Sequence, residues 1–247
     1  MAFAAETHDH TARPVSYRPP SAPQRVHLND LIVAGGRRLP ADRQFGVPGV
    51  GRDHDASVEY AGASELLASP AVAIVGARAV SPEGKRRAYK LAKELVQSGV
   101  VVMSGLARGV DTAAHLGAIQ NGGRTVAVIG TPLTKAYPAE SADLQEDIYE
   151  HHLLVSPFAP DERVFRSNFP KRNRVMALLS DATAIVEASD ASGSLHQAAE
   201  CLKNNRWLFI MRAVASDPSL SWPEKFIGKP KVAVLSSTEE ILAAIAR

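Results

Sequence analysis

Phe169-Pro170-Lys171-Arg172-Asn173-Arg174 sets three cations directly behind a proline that reads as the first residue of a helix. A helix N-terminus carries partial positive charge, so each Lys or Arg there costs roughly a few tenths of a kcal/mol unless an anion offsets it. The pattern makes physical sense where a polyanion docks, and a phosphate backbone is the obvious candidate. From Arg163 to Arg174 there are five basic residues (Arg163, Arg166, Lys171, Arg172, Arg174) and no acidic ones, with Phe165 and Phe169 between them. Interleaved cations and rings suit a single-stranded nucleic acid, whose phosphates meet the cations while its bases stack on the rings. A duplex hides its base faces.

Three other segments carry related chemistry: Gly76-Ala77-Arg78, Ser104-Gly105-Leu106-Ala107-Arg108-Gly109 and Ser192-Gly193-Ser194. Glycine lets backbone amides approach a ligand closely. Amides at helix starts bind anions, and serine hydroxyls add donors. Arginine grips phosphate through a two-pronged fork. The candidate DNA- or phosphate-contacting set is therefore Gly76, Arg78, Ser104, Gly105, Arg108, Phe169, Lys171, Arg172, Asn173, Arg174, Gly193 and Ser194. Each has a structural alternative. The basic run can be a solvated helix face, the phenylalanines core residues, Arg78 the partner of a carboxylate, and Ser104 and Ser194 helix caps.

These segments must be held by a scaffold, and the spacing of apolar runs supplies one. Strands are expected at 72–75, 100–103, 125–129, 153–156, 182–187, 207–211 and 232–235, with helices at about 81–98, 111–120, 141–150, 170–179, 195–204 and 239–246. Ser81 reads as an N-cap with Pro82 in the first turn, and Thr238 as the cap of the last helix. Fully apolar strands alternating with helices mean a parallel sheet covered on both faces, and right-handed crossovers make it doubly wound α/β. Ligands of such sheets bind beyond the carboxyl ends of the strands, where the candidate loops fall. Residues 1–55 read as irregular, with a polyproline-like stretch at 18–23 and enough apolar content for a short element only at 31–34; residues 56–247 form the folded domain.

At 247 residues the chain can bury one good core. Its net charge of +2 implies nucleic acid only through where the cations sit. The single cysteine, Cys201, excludes an internal disulfide, fits a reducing cytosol and reads as core filler. No apolar run approaches the roughly 20 residues of a membrane span, and the N-terminus lacks the order of a secretory signal. Gly76 to Lys85 is not a P-loop, because Lys85 is followed by Arg86 rather than Ser or Thr. No dinucleotide fingerprint follows the first apolar strand, and no zinc-type Cys/His cluster is present, so no cofactor or metal is expected. Asp111 and His115 share a helix face, where a hydrogen-bonded structural histidine is the expected reading.

The runs Val72 to Arg78, Ser104 to His115, Tyr137-Pro138, Asn168 to Arg174 and Glu187 with Ser192-Gly193-Ser194-Leu195 resemble the DprA/Smf family of DNA-processing proteins of bacterial natural transformation. The resemblance spans about residues 58–212. It implies an extended Rossmann-like fold, single-stranded DNA binding, a homodimer and loading of the recombinase RecA. It also implies that Arg78 and the cations of Lys171 to Arg174 line the DNA pocket. The expected protein is a cytoplasmic binding protein rather than an enzyme. Three departures stand out. The family's added helical and winged-helix domains are not recognised. His196-Gln197 follow Leu195 where the family reads Ile-Thr, and Pro157 follows Ser156 where it often has glutamate. The broader superfamily includes nucleotide sensors and phosphoribohydrolases. The hydrolases carry a glutamate where this chain has Gln197, and an amide cannot act as a general acid or base. A nucleotide sensor or phosphoribohydrolase-like enzyme using the same loops stays open as the alternative.

Overall fold

Ala71-Val72-Ala73-Ile74-Val75 is apolar at every position because both faces of the strand are covered. Ala71, Ala73 and Val75 face one core with Val175, Met176, Ala198 and Cys201, while Val72 and Ile74 face the other with Leu91, Leu95, Ala114 and Ile241. This is the period-two alternation of a strand inside a three-layer sandwich. A computed structural model describes residues 17–37 and 56–246 of the chain.

In chain order the elements are β1 (Gln24–His27), α1 (Leu28–Ala34), β2 (Ser57–Gly62), β3 (Ala71–Gly76), α2 (Pro82–Gln97), β4 (Val101–Ser104), α3 (Val110–Ile119), β5 (Thr125–Val128), α4 (Ala142–His151), β6 (Leu153–Ser156), α5 (Asn168–Leu179), β7 (Ala182–Glu187), α6 (Ser194–Lys203), β8 (Trp207–Met211), α7 (Arg212–Ala215), β9 (Val232–Leu235) and α8 (Thr238–Ile245). They build one nine-stranded sheet in the order β1-β2-β6-β5-β4-β3-β7-β8-β9. From β6 to β9 every pairing is parallel. The strand order reverses at β3, which pairs with β4 on one side and β7 on the other. Such a reversal opens a crevice at the carboxyl ends of the two strands.

The sheet is the doubly wound, mostly parallel α/β architecture expected from the sequence. One part of that expectation needs correction. Residues 24–34, read as irregular apart from a short element, form β1 and α1; β1 pairs antiparallel with β2, and β2 antiparallel with β6. The rest of the 1–55 reading, at 1–16 and 38–55, lies outside the described residues. Two helix starts also differ. α5 begins at Asn168, so Pro170 is its third residue. Ser237, not Thr238, occupies the N-cap position of α8, and the Thr238 hydroxyl donates instead to Glu94.

Two buried groups of the core carry no charge. His115 is buried with Nδ1 2.7 Å from the Thr125 hydroxyl, and burial pushes its pKa down to about 3. It is a neutral structural residue, as expected. Cys201 is buried in α6 and donates to the Trp207 carbonyl at 2.9 Å, with burial pushing its thiol up to about 12. A thiol held protonated is a poor nucleophile.

Candidate nucleic-acid interface

A cleft of about 770 Å³ opens at the strand-order reversal, beyond the ends of β3 and β7. Its walls come from Gly76-Ala77-Arg78, from the first turns of α5, from Glu187 to Ser189 and from Ser192-Gly193-Ser194. Three of the four segments picked out by residue type thus converge on one opening. The fourth, Ser104 to Gly109, contributes only Ala107 to the wall.

Arg78 is exposed at the mouth, with its guanidinium carbon 5.1 Å from the centre of the Phe169 ring. The two form a cation–aromatic platform. Tyr137 backs it, tilted against Phe169 with centroids 5.7 Å apart and half of its own surface exposed. Gly130 makes room for the ring, since a Cβ there would lie 2.8 Å from Phe169 Cδ1. Tyr137 was not placed in the site by residue type. Its signal was the Tyr137-Pro138 pair, but nothing in the spacing tied that pair to Phe169.

Arg172 sits deeper and is only 6% exposed. Its Nη1 donates to the Val128 carbonyl at 2.8 Å. Burial pulls its pKa down, while Asp111 nearby favours the charged form. Gly105 is a glycine for this reason: a Cβ would stand 1.6 Å from Arg172 Nη1. Gly76 likewise makes room for protein, since a Cβ would meet Val110 Cγ2 at 2.6 Å and the Glu187 carbonyl oxygen at 2.7 Å. Of the three candidate glycines, Gly193 alone would place a Cβ in open space.

The remaining candidates sort by where their polar atoms go. The Ser104 hydroxyl is fully buried and donates to the Ile74 carbonyl at 2.6 Å, so it is a strand-end clamp rather than a ligand donor. Arg108 is exposed and ion-paired with Glu140. Lys171 is exposed on α5 and Arg174 half-buried, and neither belongs to the cleft wall. Asn173 lies on the wall and reaches the Gly193 carbonyl with Nδ2 at 3.4 Å, a long bond linking α5 to the start of α6. The Ser194 and Ser192 hydroxyls pair at 2.9 Å.

Gln197 is fully buried on the cleft wall, with Nε2 donating to the Thr183 hydroxyl at 3.1 Å. The nearby carboxylate of Glu187 is held by Ser81, whose amide and hydroxyl donate to it at 2.8 and 2.6 Å. The same hydroxyl accepts from the Gly84 amide at 2.9 Å, capping α2. Ser81→Ala is therefore expected to lower stability by about 0.5–2 kcal/mol, read from urea unfolding. Among the described residues no group of three or more His, Cys, Asp or Glu is placed to hold a metal ion. No helix among them is long and apolar enough to cross a membrane.

A mostly parallel, doubly wound sheet with a cation-and-aromatic cleft at its strand-order reversal defines a Rossmann-like α/β protein. Residues 52–246 match the family model of DNA recombination-mediator protein A, and the chain belongs to that family. DNA processing protein DprA of Streptococcus pneumoniae is 42% identical over 152 residues, which are 62% of this chain and 54% of the relative. The X-ray structure of DNA processing protein A from Streptococcus pneumoniae superposes with a TM-score of 0.71 at 34% identity, covering 79% of this chain and 69% of that one. DNA processing protein A from Helicobacter pylori, whose structure concerns a single-stranded DNA binding mode, gives a TM-score of 0.68 at 26% identity, covering 84% and 92%. The chain spans about half the length of the curated relatives it matches.

Proposed function

We propose that this chain is a single-stranded DNA-binding protein of DprA type. It would process incoming DNA in natural transformation by protecting the strand and assisting RecA loading, without catalysing a reaction itself. The observation that carries this reading is the Arg78–Phe169 platform at the mouth of the cleft. An exposed guanidinium beside a ring offers a phosphate contact and a stacking surface within one nucleotide's reach. Arg172 on the floor adds a fixed positive charge, and Asn173, Gly193 and Ser194 add polar groups along the wall. Membership of the family and the Helicobacter pylori relative's single-stranded DNA binding mode support the same reading. A homodimer, RecA as partner and a cytoplasmic location enter the proposal only through what the resemblance of the sequence motifs implies.

Titration of labelled oligo-dT at about 50 and about 200 mM salt tests it. Affinity is expected to fall steeply with salt for the single strand and to be weaker for a duplex of equal length. Salt-insensitive binding, or none at micromolar protein, contradicts the proposal. A second reading, a nucleotide sensor, is favoured by one observation: a cleft of about 770 Å³ with the buried Arg172 on its floor has room for a single phosphate-bearing ligand. Thermal stabilisation by a mononucleotide but not by oligo-dT would select it. Hydrolase chemistry has less support, because Gln197 stands where those enzymes carry glutamate and Glu187 is engaged by Ser81.

A further inference from the structure

The family match begins at residue 52, yet the wall behind Phe169 is tied to residues far upstream of it. The loop from Thr131 to Tyr137 has three carbonyls held by side chains from other parts of the chain or from the loop itself. Thr131 O accepts from the Ser156 hydroxyl at 2.7 Å. Leu133 O accepts from the Tyr17 hydroxyl at 2.7 Å. Lys135 O accepts from Gln145 Nε2 at 3.2 Å and from the Thr131 hydroxyl at 3.1 Å. Gln145 Nε2 also donates to the Tyr17 oxygen at 2.7 Å, so one phenol joins the loop to α4. Burial pushes the Tyr17 pKa up to about 12, which keeps its proton available for donation.

The segment holding Tyr17 is itself fastened along α4. The Arg18 amide donates to Glu146 Oε1 at 2.7 Å and its Nε to Oε2 at 2.8 Å. The Tyr149 hydroxyl donates to the Arg18 carbonyl at 2.8 Å. At its two ends the loop meets the proposed platform, through the preceding Gly130 under Phe169 and through Tyr137 against the same ring. We propose that Tyr17 is a positioning residue of the DNA interface: the strap at residues 17–18 fixes the 131–137 loop, and the loop holds Phe169 and its Arg78 in the geometry that receives a base. The inference rests on the single-strand reading above and extends the functional unit of this chain beyond the residues matched by the family.

Tyr17→Phe removes one hydroxyl and keeps the ring, and Arg18→Ala removes the guanidinium contact of the strap with Glu146 without touching that hydroxyl, while the Arg18 amide and carbonyl bonds stay in place. In the full chain, both are expected to speed amide exchange at 133–137 by about tenfold, the effect of one lost hydrogen bond. Both are also expected to weaken oligo-dT binding several-fold and to reduce the quenching of a 2-aminopurine placed in the strand. The salt slope should stay unchanged, because no phosphate contact is lost. A merely structural strap would speed exchange and leave quenching and affinity alone, and that result overturns the proposal. So does unchanged loop exchange in both variants. If Arg78→Ala weakens binding while the two strap variants do not, only this inference falls. If the unsubstituted protein binds no single strand, the reading beneath it falls and takes the inference with it.

Discussion

Arg172→Met is expected to destabilise the fold by about 1–3 kcal/mol, because it removes a donor from the Val128 carbonyl and a nearby positive charge from the buried Asp111. Arg172 and Asp111 are both buried, and each shifts the other back toward its charged form against desolvation. Without the guanidinium, Asp111 keeps only donors such as the Ala107 amide at 3.3 Å. The double variant Arg172→Met with Asp111→Asn should recover a large part of the loss, because no uncompensated charge remains. The pH dependence follows from the direction of the Asp111 shift. Burial raises its carboxyl above the ordinary value, so the folded state binds the extra proton and stability rises as pH falls through the window between unfolded and folded pKa. Removing Arg172 widens that window upward. The penalty measured by urea unfolding should therefore shrink as pH falls toward the ordinary carboxyl range. A penalty independent of pH would show that Asp111 does not feel the arginine.

Arg172 also marks the limit of what residue type conveys. In the basic run it looks like its neighbours Lys171 and Arg174, a cation offered to solvent or phosphate. Helical spacing holds the signal that separates it: 172, 176 and 179 fall on one face at i, i+4 and i+7, and Met176 and Leu179 are core residues. The glycine that completes the slot, Gly105, lies on another strand end, and no local pattern connects the two. The burial of the Ser104 hydroxyl was illegible for a related reason. A serine at a strand tip has the same chemistry whether it faces a ligand or a neighbouring carbonyl, and only the packing of β3 against β4 decides. The central strands, by contrast, are legible because burial on two faces demands unbroken apolar runs. β1 and β2 carry polar residues such as Gln24, Arg25 and Glu59, and β1 is exposed at the sheet edge, so their pairing left only a weak trace in the sequence.

Phe169→Ala is expected to weaken oligo-dT binding by about 1–3 kcal/mol, the range for losing one stacked base, without altering the salt slope. Arg78→Ala should do the opposite in one respect: it removes a phosphate contact, so the slope of log affinity against log salt falls by about 0.7. The two side chains are in contact, with the guanidinium 5.1 Å from the ring centre. Removing either one therefore changes the surface presented by the other. A double-mutant cycle should show a coupling of about 0.5–3 kcal/mol, whereas independent contributors would add. Arg108→Ala supplies the contrast. Arg108 is paired with Glu140 and lies off the cleft wall, so its loss should leave affinity nearly unchanged. Additive effects of Arg78 and Phe169, or an Arg108 effect as large as that of Arg78, would mean that the strand runs elsewhere on the surface. The cleft would then be a pocket for a smaller ligand, because its floor charge and its mouth would no longer act on the same chain of phosphates.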